Sequence, residues 1–291
     1  QPESYYRPIL DHLNALEPVD GWFTENYGGD LCGSRSTGVD GLKKPWQVHN
    51  TRKLDSIRLE IDRLGLVEVE KAVLLTSLIY ALDEVDSTLG HFASYLNEWS
   101  ARSFKPMKLK VPTFFDLTCK HAVSQADIFD VLPSVDVDLA YLDPPYGSNN
   151  EKMPPSRVRY SAYYHVWTSI CLNDRPELFG KAKRRIDTSD TIGASVFEDF
   201  RRTEEGRFVA LEAIHRALSE VKAQHVILSY SSGGRATAEE LCSVIDDVGS
   251  LVEVQEIDHR RNIMANMRWT NEWTREAEKP NIEFLFLIKK K

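Results

Sequence analysis

The chain has 291 residues, 42% of them hydrophobic and 27% charged, with a formal charge of −8. That length serves one large α/β domain with an inserted subdomain, or two modest domains. No apolar run reaches a membrane span, residues 1–6 lack the apolar stretch of a signal peptide, and Cys32, Cys119, Cys171 and Cys242 show no metal-ligand spacing, so a reducing cytoplasm without disulfides or a metal centre is expected.

Residues 1–50 are rich in Gly, Pro and aromatics and read as irregular structure. Asn50 and Thr51 are good cap residues, and behind them Leu54, Ile57, Ile61 and Leu64 recur at helical spacing. A second helix is expected over 67–82, apolar enough to be largely buried, and a third around 89–99. Residues 1–110 thus form a mainly helical unit. Across 111–291 the pattern becomes alternating α/β. A short strand is expected at 121–125, a brief helix at 128–132 and an apolar strand at 137–142. Helices at 162–172 and 204–221 follow, then a buried strand at 226–230, a helix at 236–248 and two final strands at 251–257 and 282–288. Such alternation predicts a mainly parallel sheet covered on both faces.

The strand at 137–142 stops at Asp143-Pro144-Pro145-Tyr146. At average residue usage this match arises by chance in about one such chain in a thousand. A bland reading exists: a Pro-Pro turn with a surface Asp and a packed Tyr. Its place at the carboxyl end of a parallel strand, where open α/β sheets hold ligands, favours a site instead. Two prolines fix φ and remove donors, leaving a stiff loop whose carbonyls accept. An exocyclic amine on a nucleobase presents two hydrogens, and the Asp143 carboxylate and Pro144 carbonyl can take one each. Tyr146 offers a flat face on which a base extruded from a duplex can stack.

With its surroundings, this loop resembles the Dam-type family of DNA adenine methyltransferases. Further matches occur in order: Gly21-Trp22-Phe23-Thr24-Glu25-Asn26-Tyr27, residues 51–61, Ser87-Thr88-Leu89-Gly90-His91-Phe92, Tyr163-Tyr164-His165 and residues 226–230. The resemblance implies a Rossmann-like α/β fold that binds S-adenosylmethionine, with a seven-stranded sheet ending in an antiparallel hairpin. Residues 1–110 would be a helical insertion used in target recognition, and 111–291 the catalytic region. It also implies direct methyl transfer to the N6 amine of a flipped adenine, without a covalent enzyme intermediate or a metal. Asp127 and Asp143 would contact the cofactor, although Asp127 reads equally well as a helix N-cap. Arg157, Arg159, Lys181, Lys183, Arg184 and Arg185 would hold DNA phosphates. Arg102, Lys105, Lys108 and Lys110 form a second basic stretch, and His165 reads as a packing histidine.

The departures from the family pattern are informative. Its glycine-rich Phe-x-Gly-x-Gly cofactor loop and the acidic residue after the next strand have no counterpart here. Tyr27-Gly28-Gly29-Asp30 follows no buried strand, and Ser231-Ser232-Gly233-Gly234 reads as a plain turn. The expectation is that the chain starts after the first cofactor motif, and that the first strands come from an upstream segment or a separate polypeptide. The other expected partners are double-stranded DNA and a cognate restriction endonuclease. Three alternatives stay open. One is a truncated or split-gene DNA-binding half without activity of its own; another is an N4-cytosine methyltransferase, whose loop usually begins with Ser; the third is an RNA or protein-amide methyltransferase, the latter normally with Asn at the first loop position.

Overall fold

A computed structural model describes residues 2–30, 35–115, 119–147, 159–189, 195–199, 201–259 and 281–291. Along the chain, α1 (Pro2–Ala15), α2 (Trp22–Tyr27), β1 (Gly28–Gly29), β2 (Trp46–Gln47), α3 (Val48–Arg63) and α4 (Glu68–Asp83) come first. Next are α5 (Ile128–Val131), β3 (Asp136–Leu142), α6 (Tyr160–Tyr163), α7 (His165–Leu172), β4 (Leu178–Phe179) and β5 (Arg184–Arg185). The last elements are α8 (Val209–Glu220), β6 (Lys222–Ser231), α9 (Ala238–Val248), β7 (Gly249–His259) and β8 (Asn281–Lys290). They form two compact units, one of Gln1–Lys120 with Ser161–Ser189, the other of His121–Tyr160 with Asp190–Lys291.

The first unit is helical and discontinuous in sequence, because Val166 and Ile170 of α7 join its core with Leu10 and Leu13 of α1, Leu54 and Ile57 of α3, and Leu74 and Leu78 of α4. The buried Arg58 fixes α7 from α3 by donating to the carbonyls of Ile170 and Cys171 at 2.6 and 3.2 Å. Four expectations change here. Helix α1 occupies a stretch expected to be irregular. Helix α3 begins at Val48, so Asn50 lies inside it rather than capping it, and its amide accepts from Met107 N and donates to the Lys105 carbonyl. Residues 89–99 form no helix. Gly90 turns there at φ +88°, its N–H donating to Thr88 Oγ, while Ser87 Oγ accepts from Ser100 N. Side-chain bonds of this kind give the backbone an alternative to the helical ladder. Helix α4 is half-buried rather than largely buried, with Val69 73% exposed.

The second unit holds a four-stranded sheet of order β3-β6-β8-β7. β3 and β6 are parallel, whereas β8 runs antiparallel to both β6 and β7, so the sheet is mixed rather than mainly parallel. The expected final hairpin is present, its last strand inserted between β6 and β7. Helices α8 and α9 bring Ile214, Leu218, Leu241 and Ile245 against Val226, Leu228, Phe286 and Ile288. Ala140 and Leu142 of β3 join that core; the alternate residues Val137, Leu139 and Tyr141 face the other way and are 39%, 53% and 59% exposed. The sheet is therefore covered on one face among the described residues, and no described strand pairs with the outer edge of β3. Helix α8 starts at Val209 because 203–206 turns back on itself through Gly206 at φ +83°. The strand expected at 121–125 is exposed irregular chain. No helix among the described residues is long and apolar enough to cross a membrane.

Candidate active site

Strand β3 ends at Leu142, and Asp143, Pro144, Pro145, Tyr146 and Gly147 form a loop beyond its carboxyl end. Asp143 is exposed and Tyr146 half-buried. Gly147 takes φ +62°, a left-handed conformation that glycine adopts without strain, and this lets the chain turn away directly after Tyr146.

Neighbouring elements hold the loop. The Tyr146 carbonyl accepts from Arg235 N at 2.8 Å, and its ring lies 5.1 Å from that of Tyr230. Tyr230 is braced in turn by the Ser231–Gly234 turn, where a Cβ on Gly234 would meet its ring at 2.5 Å. That glycine turn thus serves to pack the Asp143–Tyr146 loop. The Tyr146 hydroxyl lies 2.6 Å from Asp143 Oδ1, 2.7 Å from Glu283 Oε1 and 3.1 Å from Ser229 Oγ. Burial, then its bond to the Asp143 carboxylate, pushes the Tyr146 phenol well above its ordinary pKa, so it stays protonated. Sequence reading missed Ser229 and Glu283; the available signal was an acid, Glu283, at the head of an otherwise apolar strand.

Beside the loop is a cavity of about 240 Å³, walled by Ile128, Tyr141, Pro144, Phe197, Ile214 and Leu228 and reaching Asp143. Asp127 caps α5 next to Ile128, accepting from Phe129 N at 2.9 Å.

The basic residues separate by environment. Arg157 lies outside the described residues. Arg159 is buried; its positive charge, with the Tyr160 N–H, partly offsets the burial that raises the Glu198 carboxyl. Arg185 is buried too, and its guanidinium donates from all three nitrogens to Asp174, Asp187 and Ser169. A side chain so engaged has no N–H left for a phosphate, and the same burial removes Arg159 from the candidate surface. Lys181 is exposed, Lys183 is half-buried 4.0 Å from Asp40, and Arg184 lies 4.6 Å over the Phe179 ring.

Other matched segments are structural. Asp55 caps α2, accepting from Phe23 N and Thr24 N at 3.0 and 2.8 Å. Gly29 is packed so closely that a Cβ would meet the Trp99 ring at 2.7 Å, which leaves no cradle for a ligand. His165 is buried, bonds the Phe92 carbonyl through Nε2 at 3.1 Å, and is pushed down to about 4 by burial.

A sequence model described as D12 class N6 adenine-specific DNA methyltransferase matches residues 8–196. The chain is 27% identical over 252 residues to Modification methylase StsI of Streptococcus sanguinis, covering 84% of this chain and 34% of that protein. It is 27% identical over 250 residues to Type II methyltransferase M.FokI of Planomicrobium okeanokoites, with the same coverage of each. Against Type II methyltransferase M.NlaIII of Neisseria lactamica it is 25% identical, covering 87% of this chain and 68% of that protein. The chain thus spans about a third of the length of the first two relatives. No solved structure matches.

Proposed function

The chain belongs to the D12 class N6 adenine-specific DNA methyltransferase family, and from that premise we propose that the complete protein methylates the N6 amine of adenine at a specific DNA site, with S-adenosylmethionine as donor. The observation that carries this reading is Asp143, exposed at the carboxyl end of β3 on a loop that Tyr146 ties to β6 and β8.

When bound, S-adenosylmethionine supplies a methyl group on a sulfonium sulfur, an electrophile that an amine lone pair can attack. The cavity beside Asp143 suits it, since Ile128, Pro144 and Phe197 offer apolar and ring surface to a purine, and Asp143 at its wall, with Asp127 next in the chain to Ile128, would supply the polar contacts. Toward the base, the Asp143 carboxylate and the Pro144 carbonyl each accept one hydrogen of the amine, which draws the nitrogen away from planarity and exposes its lone pair. Tyr146 supports the flipped base on its ring. After transfer the nitrogen is acidic, and Asp143 takes its proton or passes it to water. The mixed sheet with its terminal hairpin supports a Rossmann-like methyltransferase reading of the second unit. Lys181, Lys183 and Arg184 are the remaining described candidates for phosphate contact. Because the relatives carry the names modification methylase and Type II methyltransferase, the reading extends to restriction–modification, with a cognate endonuclease cutting the unmethylated site.

The test is Asp143→Ala in the complete protein, following transfer of labelled methyl from S-adenosylmethionine to duplex DNA and identifying the modified nucleoside. Removing an acceptor used at the moment of attack should cost about a hundredfold or more in rate, the scale seen when one preorganised polar group facing a transition state is deleted. The unfolding midpoint should barely change. Near-normal turnover, or label on a base other than adenine, overturns the reading.

A further inference from the structure

We propose that Glu283 is a positioning residue that takes over the hydroxyl hydrogen of Tyr146 and thereby releases the Asp143 carboxylate for the target amine; this rests on the reading of Asp143 given above. The Tyr146 oxygen lies between two carboxylates, 2.6 Å from Asp143 Oδ1 and 2.7 Å from Glu283 Oε1. A phenol has one hydrogen to donate, so it can satisfy one of these acceptors at a time. While it points at Asp143 it takes up an acceptor site on Oδ1 and draws charge from the carboxylate that the amine needs. Turned to Glu283, it frees Oδ1 and leaves the full charge of the Asp143 carboxylate to the amine.

The change requires only rotation of the O–H bond. The ring stays in place, held against Tyr230 and by Arg235 N–H on the Tyr146 carbonyl, so its stacking face is the same in both states. Ser229, buried on β6, lies 2.5 Å from Glu283 Oε1 and 3.1 Å from the phenol oxygen. Its hydroxyl can donate to Glu283 while the phenol serves Asp143, and to the phenol oxygen once the phenol serves Glu283. Glu283 is placed for this by the pairing of β8 with β6, which sets it opposite Ser231 at the site end of the sheet.

Single-turnover methylation of an adenine-containing duplex by the complete protein tests the proposal. Glu283→Gln keeps an acceptor oxygen and should stay within about twofold of wild type. Glu283→Ala leaves the phenol on Asp143 and should slow the step about tenfold, the scale of one net hydrogen bond, with DNA affinity held. Adding Tyr146→Phe to Glu283→Ala removes the competing hydrogen and should recover most of the rate. A folding defect caused by Glu283→Ala would persist in the double variant, so recovery separates the two. Unchanged turnover in Glu283→Ala, Glu283→Gln as slow as Glu283→Ala, or a double variant no faster than the single overturns the proposal while the role of Asp143 stands. A wild-type protein that does not methylate adenine overturns both.

Discussion

Tyr146 has two separable properties, a half-buried ring proposed to support the base and a hydroxyl tied to Asp143, Ser229 and Glu283. Tyr146→Phe keeps the ring and should stay within about threefold of wild-type turnover, whereas Tyr146→Ala loses a stacking platform worth about 1–3 kcal/mol. Fluorescence of 2-aminopurine at the target position reads this directly: strong with Phe, weak with Ala. Equal signals would remove Tyr146 from base retention. A second test separates the basic residues. Neutralising Lys181, Lys183 and Arg184 together should lower the slope of log affinity against log salt by up to about 0.9 for each DNA phosphate they neutralise. An unchanged slope returns them to ordinary surface. The Asp143–Tyr146 motif was legible because four contiguous residues carry it. Ser229 and Glu283 were not, since they stand 83 and 137 residues from Tyr146 and sheet register alone brings them to it. Nor does a run of basic residues reveal which of them, like Arg185, spends its donors on local carboxylates.

Among elements, β6, α9 and the final hairpin were legible because apolar periodicity and turn residues agree there. Helix α1 was hidden by Pro8 within it and by the irregular look of its neighbours, although Tyr6, Leu10 and Leu13 repeat at helical spacing on its buried side. The short α2 depends on one residue. Asp55 accepts from two of its first N–H groups and from Thr24 Oγ, so Asp55→Ala should cost about 2 kcal/mol in chemical denaturation. Gly21→Ala, whose Cβ would meet Asp55 Oδ1 at 2.5 Å, should destabilise less when Asp55 is already Ala; strict additivity would break this account. Helix α7 carries a pH dependence. Burial lowers His165 from 6.5 to about 4, so between these values the unfolded state binds more protons, and stability falls as pH drops through that window. Glu60 and Asp62, held at about 2 by their ion-pair partners, lose their contributions only below about 4.5. The slope of unfolding free energy between pH 6.5 and 4.5 should therefore be shallower in His165→Gln than in wild type; comparing the two cancels the carboxyls common to both. Identical slopes would mean that His165 is not the buried titrating group.

At the scale of the molecule, each unit has its own core, but they differ in how completely they cover their elements. The sheet of the second unit has α8 and α9 on one face, while Val137, Leu139 and Tyr141 stand exposed on the other along a strand with no described partner at its outer edge. An apolar face beside unpaired backbone groups is a template for association, and strands that must remain exposed usually carry charge to prevent it. β3 has its acids at Asp136 and Asp138 and none on the exposed alternate positions 137, 139 and 141. The net charge of −8 opposes contact between copies at low ionic strength, and salt screens that repulsion beyond about 10 Å at 0.1 M. The 291-residue chain on its own should accordingly self-associate more strongly as salt rises, with a sedimentation coefficient that grows with concentration. Val137→Lys with Leu139→Lys should suppress this at every salt concentration. It should cost little stability, because both side chains already face solvent and substitutions at such sites shift stability by about 0.5 kcal/mol or less. A chain that stays monomeric from low to high salt, or lysines that leave association unchanged, would show that this face and edge are not the adhesive surface.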